Sequence, residues 1–278
     1  LGLVLNAVIL AVARVGIGFL MHQCGLVMFA VAAFIGLPAY LCGIASANIE
    51  LGLHATVILA LVGTILFAFL VGPLVVRTRP LPFAMLTLAL AQMLKSAASI
   101  QAIRPITGGE DGLPMTFVGT FLGLTPSELG RPDAFWPIAW LALCGVVTLS
   151  WLVGHSRLGR VLRATQANEE RMRFSGFDTY RPRLIAFVLA SFITSISGVL
   201  IALHTAFASP ELLDFSAGGH ALVAMLVGGA STVGGPVLGA MLYTWGQDAF
   251  GASGHLELLT GVAVVVVISA FPKGAAGF

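Results

Sequence analysis

Gln92, Lys95, Ser96 and Ser99 recur at helical spacing in a stretch that is otherwise apolar, and Thr87 lies a little earlier in the same segment. An amide, an ammonium and hydroxyls on one sector of a helix can line a path for a polar solute or bond to a neighbouring helix. Inside a membrane such groups are costly and turn toward a bundle interior or a wet cavity. Lys95 has the alternative of snorkelling from the helix end, and Arg14, inside another apolar run, must be paired or snorkel as well. The histidines His22, His54, His155, His204, His220 and His255 lack the i, i+4 spacing of a metal pair and read as packed or interfacial rings. Cys24, Cys42 and Cys144 have no regular spacing and read as small apolar residues. Asp248 is either a helix-end carboxylate or a proton-relay group. No nucleophile motif or metal-binding pair converges as an enzyme would require.

Two further patterns carry physical content. The glycine-rich run Val227–Ala240 could cradle a phosphate, but it lacks the Gly-Lys-Ser/Thr ending of a nucleotide loop. Close helix packing is the better reading: Gly228, Gly229 and Gly234 let another backbone approach, and Gly235 with Gly239 forms a small-xxx-small step. The other pattern is Ser156–Arg183, which holds Arg157, Arg160, Arg163, Arg171, Arg173, Arg181 and Arg183, half of the 14 basic residues. Within it Leu158, Val161, Leu162 and Thr165 recur at i, i+3, i+4 and i+7, predicting an amphipathic helix on the membrane surface. Asn168 is a good N-cap, Glu169 and Glu170 suit the first turn, and Gly176 is placed to end a second helix of about two turns. So short a helix is marginal in water, so a partner or the chain's own membrane domain must hold it.

The elements that position these groups follow from composition. With 58% hydrophobic residues, 9% charged residues and a mean hydropathy of +0.99, against roughly 25% charge in soluble domains, the chain is an integral membrane protein. A net charge of +2 gives no indication of a nucleic-acid partner. At about 20 apolar residues per crossing, residues 1–278 form one all-α bundle of about eight or nine spans. These fall near 1–20, 25–47, 52–76, 81–103, 135–153, 184–207, 217–231, 236–251 and 256–271. The seventh and eighth are short, and are expected to be broken or re-entrant. If the loop 154–183 is cytoplasmic, Arg77, Arg79 and Lys273 share its side, while Arg104 and Arg131 fall outside in a loop spanning 104–134. That outer side carries Glu50, Glu110, Asp111, Glu128, Asp133, Glu211, Asp214 and Glu257. No secretory signal is visible, and the chain opens at Leu1 without Met, so upstream residues are expected.

Several stretches together resemble a known family. Leu158-Gly159-Arg160-Val161-Leu162-Arg163-Ala164, Asn168-Glu169-Glu170, Gly176 and Leu184–Ala190 are similar to the permeases of branched-chain amino-acid ABC importers, LivM type. Thr107-Gly108-Gly109-Glu110-Asp111-Gly112-Leu113, Ser209-Pro210-Glu211 with Phe215-Ser216, and above all Val227–Ala240 match the same pattern. The resemblance implies that Asn168, Glu169, Glu170, Arg171, Arg173 and Gly176 belong to the segment that couples to an ATP-hydrolysing subunit. It implies a bacterial-type cytoplasmic (inner) membrane, a second related permease forming a heterodimer, and an extracytoplasmic solute-binding protein, with Glu110, Asp111, Glu211 and Asp214 as docking points. ATP and magnesium would be held by partner subunits, with no cofactor on this chain, which would be a transport subunit and not an enzyme.

Two departures bear on the solute. Gly25-Leu26-Val27-Met28-Phe29-Ala30-Val31 stands where the family commonly has Gly-Gln-x-Ser-x-Gly-His, and Gln92 stands at a commonly acidic position. Thr87, Gln92, Lys95 and Ser96 remain the candidate path residues, and an amino acid or related small molecule the expected solute. The competing reading is an ion-coupled secondary carrier binding its solute at broken helices near Gly228–Gly235. The scarcity of intramembrane carboxylates argues against it.

Overall fold

The structure is a computed structural model and describes residues 1–48, 52–229, 234–251 and 261. Twelve helices are present among the described residues: α1 (Gly2–Cys24), α2 (Val31–Asn48), α3 (Leu53–Val75), α4 (Pro80–Ser99), α5 (Arg104–Thr107), α6 (Pro126–Leu129), α7 (Pro132–His155), α8 (Arg157–Ala167), α9 (Glu169–Phe174), α10 (Tyr180–Thr205), α11 (Phe215–Gly228) and α12 (Gly235–Gly251). Of these, α1, α3, α4, α7 and α10 are long and apolar enough to cross a membrane, and α2 and α11 are shorter apolar helices. The ninth expected span apart from residue 261, together with Lys273, Glu50, Glu257, His255 and the centre of the glycine-rich run (230–233), lies outside the described residues.

The bundle is built around α1 and α10, the two most deeply buried of the long helices. They approach closely because Gly16 leaves room for the Thr194 side chain and the Ala190 carbonyl. The Ser197 hydroxyl donates to the Ile9 carbonyl at 2.8 Å, a long-range tie between the pair. Across α10, Gly198 sits against the Ile35 carbonyl and Pro38 of α2. Small residues do this work because lipid is as apolar as leucine, so close packing replaces hydrophobic exclusion as the force between helices. Around the pair, α2 and α3 pack on one side, α7 on another, and the α11/α12 hairpin on a third.

The second expected span is interrupted at its start. Gly25, in the left-handed region at φ 65°, ends α1, and residues 25–30 run non-helically before α2 begins at Val31. A free backbone N–H here would be expensive in a membrane interior. Phe29 N–H is satisfied by the Thr87 hydroxyl of α4 at 3.1 Å. The apolar residues that depart from the family pattern have a packing role: Leu26 and Met28 are fully buried in the core.

The all-α expectation holds with one small exception. Two-residue strands β1 (Leu113–Pro114) and β2 (Phe207–Ala208) pair antiparallel, with Leu113 opposite Ala208 and Pro114 opposite Phe207. This ribbon ties the loop after α5 to the end of α10. The loop 104–134 is also held by the Thr107 hydroxyl, which donates to the Ala98 carbonyl at 2.8 Å. At the opposite end of the bundle, α8, α9 and the α3–α4 turn come together, bringing Arg77 over the ring of Tyr180. The two basic clusters that charge distribution assigns to one side therefore do share one end.

Candidate functional site

At the arginine-rich end, Ser156 caps α8, its hydroxyl accepting from Gly159 N–H at 3.3 Å. Leu162 and Thr165 are buried, while Arg157, Arg160 and Arg163 lie on the exposed side. Arg163 anchors α8 to the end of α1, donating to the Gln23 side-chain oxygen at 3.1 Å and to the Gly154 carbonyl at 2.8 Å. The short helix α9 follows the expected capping pattern. The Asn168 side chain accepts from Arg171 N–H at 2.9 Å, and Glu169 and Glu170 occupy the first turn, with Arg171 and Arg173 in the last. Gly176 has φ 81°. Its N–H donates to the Arg173 carbonyl and that of Phe177 to the Met172 carbonyl, which is a Schellman ending.

What fastens α9 to the bundle is Glu169. Its carboxylate pairs with Arg183 of α10 at 2.9 Å and accepts from the Thr179 hydroxyl at 3.4 Å. None of the residues of α9 is buried. Phe174, at 91% exposure, and Phe177, at 53%, stand open at its tip. Sequence reasoning passed over these two rings, although aromatic residues in a run of arginines are a signal: large apolar side chains are left open where another protein covers them.

The second region is the outward side of α4 and α11. Gln92 and Ser96 are exposed on α4, in line with Met85 and Ala89 at alternating three- and four-residue steps. Lys95 reaches across to Asp214, just ahead of α11, at 2.8 Å, each side chain 34% exposed. It is thus paired and does not extend freely to the interface. The Lys95 hydrogen bond holds the Asp214 carboxyl below the ordinary aspartate range. The ion pair joins the far end of α4 to the start of α11, whose own exposed residues include Ser216 and His220. Thr87 does not belong to this surface. Five residues from Gln92, it lies on another side of α4, is fully buried and serves the Phe29 backbone instead.

Behind α11, Arg14 lies buried at 2% exposure under the ring of Tyr243, its guanidinium carbon 5.2 Å from the ring centre. The Tyr243 hydroxyl meets His220 Nδ1 at 2.6 Å, so a polar series runs from the core at Arg14 out to the exposed His220. Among the described residues the Nε and one Nη of Arg14 have no hydrogen-bond partner. His54, His155 and His204 each pack on an aromatic ring.

The glycines set how α11 and α12 meet. A Cβ at Gly228 would strike the Gly235 carbonyl, and one at Gly239 the Ala224 carbonyl. Gly229 adopts φ 98° at the turn. At Gly234 a Cβ meets nothing within 4 Å among the described residues, and its carbonyl accepts from Val237 and Leu238 at the start of α12. Of the four acidic docking candidates, Asp111 is paired with Arg104 at 2.6 Å and Asp214 with Lys95. Glu110 and Glu211 are exposed and take part in no ion pair among the described residues.

A family model described as branched-chain amino acid transport system / permease component matches residues 1–270. The chain belongs to this family. Among curated proteins this permease is similar to the autoinducer 2 import system permease protein LsrC of Yersinia pseudotuberculosis serotype O:1b (strain IP 31758), 28% identical over 223 residues, covering 77% of this chain and 59% of the relative. LsrC of Yersinia pestis (strain Pestoides F) matches with the same identity and coverage. The permease thus spans about three fifths of the length of these relatives. No solved structure matches it.

Proposed function

We propose that this chain is a membrane permease subunit of an ATP-binding-cassette importer, forming part of the path for a small solute delivered by an extracytoplasmic binding protein. The observation that carries the reading is α9. A helix of six residues, capped at both ends, burying none of its own residues and pinned to α10 by Glu169–Arg183, is suited to receive a push from a partner and pass it into a membrane helix. Phe174 and Phe177 supply the contact with that partner, an ATPase subunit that holds ATP and magnesium. The polar stripe Gln92, Lys95, Ser96, Asp214 and His220 faces a second, related permease in a heterodimer, with the path between the two chains. Glu110 and Glu211 are the carboxylates left for the binding protein. The relatives named for autoinducer 2 import support reading the solute as a small organic molecule not restricted to amino acids. The membrane is the bacterial-type cytoplasmic one.

Purifying the chain from its native membrane in mild detergent tests this reading. Stoichiometric ATPase subunits and a second permease are expected, whereas uptake driven by an ion gradient in their absence would establish the secondary carrier. Coupling is tested by breaking α9. Glu170 is unsuited to that purpose because it lies in the first turn, where proline is tolerated. Met172 donates its N–H to the Asn168 carbonyl at 3.3 Å, so Met172→Pro should preserve insertion and abolish ATP-driven uptake. Full uptake in that variant would reduce α9 to a cap on the bundle.

A further inference from the structure

A pocket of about 410 Å³ opens at the arginine-rich end, bounded by Arg77 after α3, Glu169 and Arg173 of α9, and Thr179, Tyr180 and Arg183 where α10 begins. Three guanidinium groups meet one carboxylate there. That carboxylate is already engaged, since Glu169 holds Arg183 and Thr179. Neither Arg77 nor Arg173 has a carboxylate within ion-pair distance among the described residues. Arg183 is 92% buried, and its Nε has no hydrogen-bond partner among the described residues. Arg77 is fixed in place by the Tyr180 ring.

Like charges gathered around a cavity repel one another unless an anion joins them. The planar fork of arginine matches the oxygens of phosphate better than those of any other common biological anion except carboxylate. Depth favours phosphate. The pocket lies where the apolar run of α3 stops and α10 opens on a tyrosine, the level at which aromatic and basic residues meet lipid headgroups. Basic pockets between membrane helices at a cytoplasmic face take anionic headgroups.

We infer that this pocket is a binding site for a phosphate group, carried by an anionic phospholipid headgroup or by a free phosphate-bearing solute. The inference goes beyond the importer reading and does not need it, because it rests on the arginines, the cavity and its level at the basic end of the membrane bundle. A bound phosphate would join Arg77 to Arg173, linking α3 to α9 in addition to the existing tie from α9 to α10.

Titration calorimetry on the full chain in a neutral detergent tests the inference, with dioctanoyl phosphatidylglycerol and inorganic phosphate as separate probes. Saturable binding of the lipid is expected, weakened about tenfold in R77Q and in R173Q, further in the double variant, and by raising salt. Both side chains are exposed, so these variants should keep the fold, which their thermal unfolding would verify. Binding of the lipid alone would identify a headgroup site, and competition by inorganic phosphate a site for phosphate from either source. Absence of saturable binding by both probes, or equal binding in the double variant, would overturn the inference. So would loss of ATPase association in the double variant without binding of either probe, since the pocket would then serve a partner's carboxylate.

Discussion

Helices α3 and α4 leave the same small share of their apolar windows buried, yet they present different outward surfaces. On α3 the open side from the second turn onward reads Ile58, Leu59, Val62, Leu66, Phe69, Leu70 and Leu74, and its one exposed polar side chain among the described residues, His54, sits in the first turn against the Phe121 ring. On α4, Gln92 and Ser96 interrupt Met85 and Met93, and Lys95 joins Asp214. Lipid can cover the first surface at no cost, but covering the second would strand an amide and an ion pair in hydrocarbon. Equal exposure therefore has two meanings in this bundle: a lipid-facing side at α3 and a side made for water or a protein partner at α4.

Charge placement tests this contrast most severely. Leu66→Arg on α3 should set a charge against lipid at a cost of about 2.5–3.5 kcal/mol and sharply lower the yield of folded protein, whereas Gln92→Arg on α4, already on a polar side, should keep most of that yield and impair uptake. Equal yields of folded protein from the two would erase the distinction between the faces. The next largest effect concerns the hairpin that carries His220 to the polar side. Gly239→Leu forces a side chain against the Ala224 carbonyl and should destabilise by about 1–3 kcal/mol or more, measured by thermal unfolding in detergent. Gly234→Ala, whose Cβ meets none of the described residues within 4 Å, is the silent control. If both variants unfold alike, the close approach of α11 and α12 is not what holds that face.

The ion pair gives the smallest effect. Asp214 is held below its ordinary pKa of 3.8 by Lys95, so its contribution to stability is complete above that value and disappears as pH falls through the lower folded value. At neutral pH, Lys95→Met should cost about 0–1 kcal/mol if the pair faces water, and the exchange Lys95→Asp with Asp214→Lys should restore the loss. A much larger cost would show that the polar side is sealed from solvent by a partner.

Much of this was legible before any coordinates. Apolar runs marked eight helices to within several residues, because crossing a membrane is decided by the local transfer free energy of about 20 consecutive side chains. Asn168 and Gly176 bounded α9, because caps act over a few residues. The non-helical segment 25–30 was read as part of a span, since its apolar residues satisfy a hydropathy pattern whether or not the backbone is helical. Thr87 was grouped with Gln92 because both are polar, although five residues of helix already set them on different sides; the packing of α4 showed that it is Thr87 that is buried.

The chain's hydrophobic and basic patterns by themselves determined that it is a membrane bundle, roughly where its helices fall, and which loops gather the arginines. Tertiary structure alone decided that Lys95 meets Asp214 across 119 residues, that Arg14 lies under Tyr243, and that Arg77 comes to the arginines beside α9. The physical reason is that insertion depends on each segment's own composition, whereas neighbours in a bilayer are chosen by glycine-sized contacts and hydrogen bonds that exist only once two helices have met.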